Sequence, residues 1–338
     1  MDVLLQLLLA GIATVIIWFS SERLEEASQR LANYYGLPEI VKGSVVTAIG
    51  SSFPELSSVV IATLFHDQFE LGIASIVGSA IFNVLVIPAC SVLATKQAMR
   101  TNRELVYKEA QFFLIAVVVL LLSLSFAVIY HPVPGQQIQG TLTPSLAMIP
   151  VALYGVYIFI QYLDARDPDK PRERDRSIPV GNEWLALVGC MLVVGVGVEL
   201  LVRAALVLGE LLNSPPLLWG LTVIAAGTSL PDLFISVKAS RGGASIASLS
   251  NVLGSNTFDL LIAVPAGVLL GGSVVINFSR AAPMMGVLTL STVIAFVLMR
   301  YEFSLTKKDA IKLICLYGLF VVWMGLESMN VSDVLNVR

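Results

Sequence analysis

The sequence predicts an all-α membrane protein of ten transmembrane helices, arranged as two inverted five-helix repeats. Three observations predict it. The 338-residue chain is 56% hydrophobic and 13% charged, about half the charge of an ordinary soluble domain. Its apolar runs reach the roughly 20 residues that a bilayer crossing requires. Its two halves also repeat each other in a single register of 177 residues, from Glu22 on Glu199 to Pro54 on Pro231.

Taken in order, the apolar runs lie near 3–19, 71–94, 109–129, 143–162, 184–208, 244–270, 281–299 and 310–326. Two more, near 40–65 and 216–239, are interrupted by polar motifs, which brings the predicted count to ten. The first run has no positive leader region and no small-residue cleavage pattern, so it reads as a retained helix. Cys90, Cys190 and Cys315 stand alone in apolar segments, a spacing that supports neither a disulfide framework nor a metal site.

The basic residues sort onto alternate loops. Lys96, Arg100, Arg103 and Lys108 fall in 95–108, and Arg166, Lys170, Arg172, Arg174 and Arg176 fall in 164–183. Arg300, Lys307, Lys308 and Lys312 fall near 300–312, whereas 66–70 and 130–143 carry no Lys or Arg. The positive-inside rule then predicts a cytoplasmic 164–183 segment and both termini outside. His66 and His131 fall in external loops, where a solvated surface role is expected.

The repeat continues beyond the 177-residue register. After one residue is dropped near 66–70, Gly78, Ser79, Phe82 and Leu85 match Gly254, Ser255, Phe258 and Leu261. Five helices per half is an odd number, so the second half enters the bilayer from the opposite side. This predicts a first repeat over 1–163, with its motif region at 43–88, and a second over 184–338, with its motif region at 220–265. The mixed charges and prolines of 164–183 suit a solvated connector. Inverted repeats with interrupted helices mark secondary transporters, whose sites lie at mid-membrane between the repeats.

The paired motifs carry the chemistry. In "GSSFPE", Ser51 and Ser52 share a helical face with Glu55. Pro54 lacks an amide hydrogen and crowds the carbonyl four residues back, loosening the backbone around Ala48–Gly50. "GTSLPD" repeats the arrangement with Thr228, Ser229, Pro231 and Asp232, loosening Ala225–Gly227. The neighbouring "GSAIFN" and "GSNTFD" add Ser79 with Asn83, and Ser255 with Asp259. This all-oxygen set, with no thiolate or imidazole, fits hard cations such as Ca²⁺ or Na⁺ and argues against zinc or copper. An ionised carboxylate at mid-membrane costs about 2.5–3.5 kcal/mol on the insertion scale, so three of them call for compensating cations. Ser51, Ser79 or Thr228 taken singly is accounted for better by helix packing than by ion binding. The recurrence of Glu55 and Asp232 at matching places is not. Glu22, Glu199 and Arg203 either line an access route or end a helix.

At these residues the sequence resembles the sodium/calcium exchanger branch of the calcium:cation antiporter superfamily, over essentially the whole chain. The resemblance implies exchange of Ca²⁺ for Na⁺ by alternating access, with no cofactor and no enzymatic activity. It implies Glu55 and Asp232 as central Ca²⁺ ligands. Ser51, Ser52, Ser79, Thr228, Ser229 and Ser255 would share the Na⁺ sites, with Asn83, Asp259 and the carbonyls of Ala48 and Ala225 beside them. Asp232 in place of the common Glu, Ala80 in "GSA" and "GSS" in the first motif are similar to the potassium-dependent exchangers, which adds K⁺ as a candidate ion. A proton/calcium exchanger of the same fold is the alternative and a cation channel a more distant one. The expected partners are these ions and the lipid bilayer, with no nucleic acid. No phosphate-cradling motif of an ion pump is present.

Overall fold

The structure is a computed structural model that describes residues 2–37, 46, 48–95, 98–103, 105–136, 138–164, 176–329, 331, 332, 334 and 335. The helices are α1 (Asp2–Tyr35), α2 (Phe53–His66), α3 (Phe69–Leu93), α4 (Ala110–Tyr130) and α5 (Pro144–Asp164). There follow α6 (Val180–Leu211), α7 (Ala225–Arg241) and α8 (Ser245–Phe258). The last two are α9 (Phe278–Arg300) and α10 (Lys307–Ser328). A π-helical turn at Leu105–Glu109 leads into α4, and another at Gly220–Ile224 leads into α7. A third, Asp259–Ala263, joins α8 to the short helix Val264–Gly271.

Among the described residues, nine helices are long and apolar enough to cross a membrane. The predicted tenth is α2, 14 residues preceded by the helical turn Ala48–Ser51. The rest of that predicted crossing, 38–45 and 47, lies outside the described residues, as do Lys96 and 165–175 of the connector. The connector's last residues, 180–183, already belong to α6.

Burial separates the helices into an inner and an outer set. In α3 the most apolar stretch is 83% buried, and in the 248–271 span 78%. In α1, α5 and α10 the share is 22%, and in α6 28%. The outer helices therefore turn residues such as Leu4, Leu8, Leu185 and Leu192 outward, as lipid-facing surfaces require. The inner helices approach through small residues, the usual device where lipid offers no hydrophobic contrast. A Cβ on Gly78 would strike the Leu221 carbonyl, and one on Gly220 would lie 2.7 Å from the Leu71 carbonyl oxygen. A Cβ on Gly197 of α6 would sit 2.8 Å from Ile17 of α1. The ends of these two long helices are tied by Glu183, which accepts from Arg23 at 3.0 Å and Arg30 at 3.1 Å.

Two small antiparallel sheets cap the bundle. Strand β1 (Met99–Arg100) pairs with β4 (Ser304–Leu305), and β2 (Gln139–Leu142) pairs with β3 (Val274–Asn277). The first joins the α3–α4 and α9–α10 connections, the second the α4–α5 and α8–α9 connections. Each sheet therefore takes one strand from each half of the chain.

Candidate functional site

The first motif is broken where its proline requires. The turn Ala48–Ser51 ends at Ser52, whose φ −88° and ψ 8° leave the helix, and α2 restarts at Phe53 with Pro54 in its first turn. Glu55 follows directly, at the helix N-terminus, where the positive end of the helix dipole favours a carboxylate. The second motif differs. Pro231 sits inside a continuous α7, and the irregular backbone lies upstream at Gly220–Ile224. The carbonyls expected to be loosened at Ala225–Gly227 stay in the helix. Thr228 Oγ1 donates to the Ile224 carbonyl at 3.2 Å and the Ala225 carbonyl at 3.3 Å. Ala48 opens the first turn.

The predicted side chains converge in the buried interior. Glu55, Asp232, Asp259, Asn83, Ser51, Ser52, Ser79, Thr228, Ser229 and Ser255 are all at most 3% exposed. They meet across the halves of the chain. Ser79 Oγ lies 2.6 Å from Ser229 Oγ, and Ser52 Oγ lies 2.5 Å from Ser255 Oγ. Under the repeat register these two contacts are equivalents of each other. Ser79 donates to Glu55 Oε1 at 3.4 Å, and Ser255 donates to Asp232 Oδ2 at 3.5 Å, again an equivalent pair. Ser229 also reaches Glu55 Oε1 at 3.5 Å.

These contacts to carboxylate oxygens are long for hydrogen bonds, and other oxygens have none. Glu55 Oε2, Asp232 Oδ1, Asn83 Oδ1 and both Asp259 carboxylate oxygens are buried without a partner. Buried polar atoms are nearly always satisfied, and leaving them otherwise is costly. Five orphaned oxygens in one neighbourhood, with no Lys or Arg among the site residues, form a cage that hard cations would complete. Among the described residues no three His, Cys, Asp or Glu groups converge on one metal position. A cation here would draw on hydroxyl, amide and carbonyl oxygens as well as carboxylates.

Sequence patterns alone miss three residues. Asn256 is fully buried, accepts from Asn83 Nδ2 at 2.9 Å and donates to the Ala80 carbonyl at 3.4 Å. It stands where the first half has Ala80, so the unequal motif itself is the signal. His66 is not solvated as expected: its Nε2 lies 2.9 Å from Glu199 Oε2, and Glu199 also accepts from Arg203. This ties the end of α2 to α6. Glu183, expected in the connector, is the buried partner of Arg23 and Arg30, and no local pattern in the sequence marks it.

The sodium/calcium exchanger protein family matches residues 5–163 and 182–326 of this chain. The inner membrane protein YrbG of Escherichia coli is 27% identical over 334 residues, covering 95% of each chain. The mouse sodium/potassium/calcium exchanger 4 is 33% identical over 147 residues, 41% of this chain and 24% of that one. A solved structure of the sodium-calcium exchanger NCX_Mj superposes with a TM-score of 0.62 at 20% identity, covering 95% of this chain and 99% of the other. That likeness shows a shared fold.

Proposed function

The chain belongs to the sodium/calcium exchanger family of integral membrane cation antiporters, and from that premise we propose that it exchanges Ca²⁺ for Na⁺ at the buried site between its halves. The observation that carries the proposal is the set of five orphaned oxygens on Glu55, Asp232, Asn83 and Asp259. Glu55 and Asp232 hold Ca²⁺. Ser51, Ser52, Ser79, Thr228, Ser229 and Ser255 supply hydroxyls for Na⁺, with Asn83, Asp259 and the backbone at Ala48 and Ala225 beside them. The repeats 1–163 and 184–338 form the two sides of the site, with both termini outside and 164–183 in the cytoplasm.

Exchange follows from electrostatics. The empty site holds several carboxylates away from water, and closing over uncompensated charge is costly. Either Ca²⁺ or several Na⁺ neutralises the cluster and permits the alternation between faces. The long α1 and α6, packed against each other at the edge, move relative to the inner bundle.

A second reading adds K⁺. Asp259 faces the site with two orphaned oxygens where the first half offers Asn83, and Asp232 is one methylene shorter than Glu55. Both changes favour a roomier, more anionic second half. The test is ⁴⁵Ca²⁺ uptake into proteoliposomes loaded with Na⁺, Na⁺ plus K⁺, Li⁺ or choline. Uptake driven by internal Na⁺ is expected. Equal uptake with every internal cation refutes Na⁺ coupling, and a proton-gradient response in its place favours the proton/calcium alternative.

A further inference from the structure

Two asparagines meet across the halves of the chain, and their hydrogen bonds run in one direction. Asn83 of α3 and Asn256 of α8 are both fully buried. Asn256 Nδ2 donates to the Ala80 carbonyl at 3.4 Å, and Asn83 Nδ2 donates to Asn256 Oδ1 at 2.9 Å. Asn83 Oδ1 is left buried without a partner. Asn83 stands one helical turn beyond Ser79 on α3, on the face from which Ser79 reaches Glu55 and Ser229.

A backbone carbonyl can only accept, and this sets the direction of the relay. Asn256 must turn its Nδ2 toward Ala80, which leaves its Oδ1 for Asn83. Asn83 must answer with its own Nδ2, which leaves its Oδ1 on the side of the site. Turning either amide over would set two acceptors or two donors against each other, and an unmet polar group is costly when buried. Only the oxygen of an amide can hold a hard cation. Orientation therefore decides whether Asn83 attracts the ion or repels it.

The repeat shows the same logic from the other side. In its register Asp259 stands where Asn83 does, and Ala80 where Asn256 does. Both Asp259 carboxylate oxygens are acceptors and both are buried without a partner, so no neighbour has to turn them. The amide that must be oriented is matched by Asn256. For the carboxylate, the position equivalent to Asn256 is filled by Ala80.

We propose that Asn256 is a positioning residue which, anchored on the Ala80 carbonyl, turns the Asn83 amide so that Oδ1 faces Na⁺ in the central site. This rests on the exchanger reading, under which Asn83 lies beside the Na⁺ ligands. Asn256 is not offered as a ligand, because both ends of its amide are engaged.

The test is the melting temperature of the purified full-length chain as Na⁺ is titrated in, with choline keeping the ionic strength constant. Asn256→Leu keeps the side-chain volume but removes the relay. It should raise the half-maximal Na⁺ concentration about tenfold. Asn256→Ala, which copies the residue at position 80, should behave in the same way and covers a failure of the leucine variant to fold. In an Asn83→Asp background, where no amide has to be turned, the same two substitutions should move that concentration by no more than about twofold. A purely structural Asn256 would lower the ion-free melting temperature in both backgrounds and leave the Na⁺ midpoint where it was.

A midpoint unmoved by Asn256→Leu and Asn256→Ala overturns the proposal, as does an equal shift in both backgrounds. Na⁺-driven ⁴⁵Ca²⁺ uptake by the wild type tests the exchanger reading separately. Its absence, with the background-dependent shift intact, would sink exchange and leave the relay standing. Uptake with a Na⁺ midpoint indifferent to Asn256 does the reverse. A wild type that Na⁺ does not stabilise at all overturns both.

Discussion

Ser79 Oγ of α3 and Ser229 Oγ of α7 lie 2.6 Å apart, joining the two halves of the chain beside Glu55. The Ser52–Ser255 contact repeats this relationship beside Asp232. Residues bonded in this way should not act independently. In a double-mutant cycle, Ser79→Ala and Ser229→Ala should couple by about 0.5–3 kcal/mol in apparent Na⁺ affinity. Ser52→Ala with Ser255→Ala should do the same, whereas Ser79→Ala with Ser52→Ala should couple less. Additive effects within both contacting pairs would count against a shared ion cage.

Burying carboxylates for the sake of an ion has a cost that substitution should reveal. Glu55→Gln or Asp232→Asn removes a charge worth about 2.5–3.5 kcal/mol on the insertion scale. The ion-free variants should melt at or above the wild-type temperature in detergent. Ca²⁺ at a hundredfold excess over Kd should stabilise the wild type by about 2.7 kcal/mol, and each variant should lose that stabilisation. A Ca²⁺-dependent melting shift that survives in both variants would move the Ca²⁺ site elsewhere.

Close backbone approach at the centre makes a third prediction. Gly78→Ala places a methyl against the Leu221 carbonyl and near Ala225. It should cost about 1–3 kcal/mol or prevent folding. Gly155→Ala and Gly195→Ala meet nothing within 4 Å and should stay within about 0.5 kcal/mol of wild type. Fluorescence-detected gel filtration after graded heating separates the two groups.

Orientation can be tested with single cysteines on a cysteine-free background. Substitution at Gln136, in the α4–α5 connection, should react with an impermeant maleimide from outside. Substitution at Lys307, at the start of α10, should react only after the membrane is opened. The reverse pattern would invert the proposed topology.

Much of this arrangement is legible in the sequence because membrane folding leaves a strong record. Apolar length alone locates α3, α4, α5, α9 and α10 to within a few residues, since lipid tolerates little else. The repeat by itself pairs Glu55 with Asp232, because helix packing gives no reason to duplicate a carboxylate inside an apolar run. The second motif is less legible. Pro231 has the chemistry to break its helix, yet α7 runs through it and the irregular backbone falls in the π-helical turn at Gly220–Ile224. His66 and Glu183 are opaque in sequence, because each gains its partner from a helix more than 130 residues away. Asn256 is marked only by its inequality with Ala80, and its role depends on the approach of Asn83 from the other half of the chain.

A cation held jointly by Glu55 and Asp232 is what the proposed exchange mechanism requires above all. Long-wavelength anomalous diffraction from crystals grown with Ca²⁺ and without Na⁺ would locate it. One strong anomalous peak is expected at about 2.3–2.6 Å from carboxylate oxygens of both residues, absent from crystals of Glu55→Gln. A Ca²⁺ peak that touches neither carboxylate, or that persists unchanged in Glu55→Gln, would contradict the mechanism.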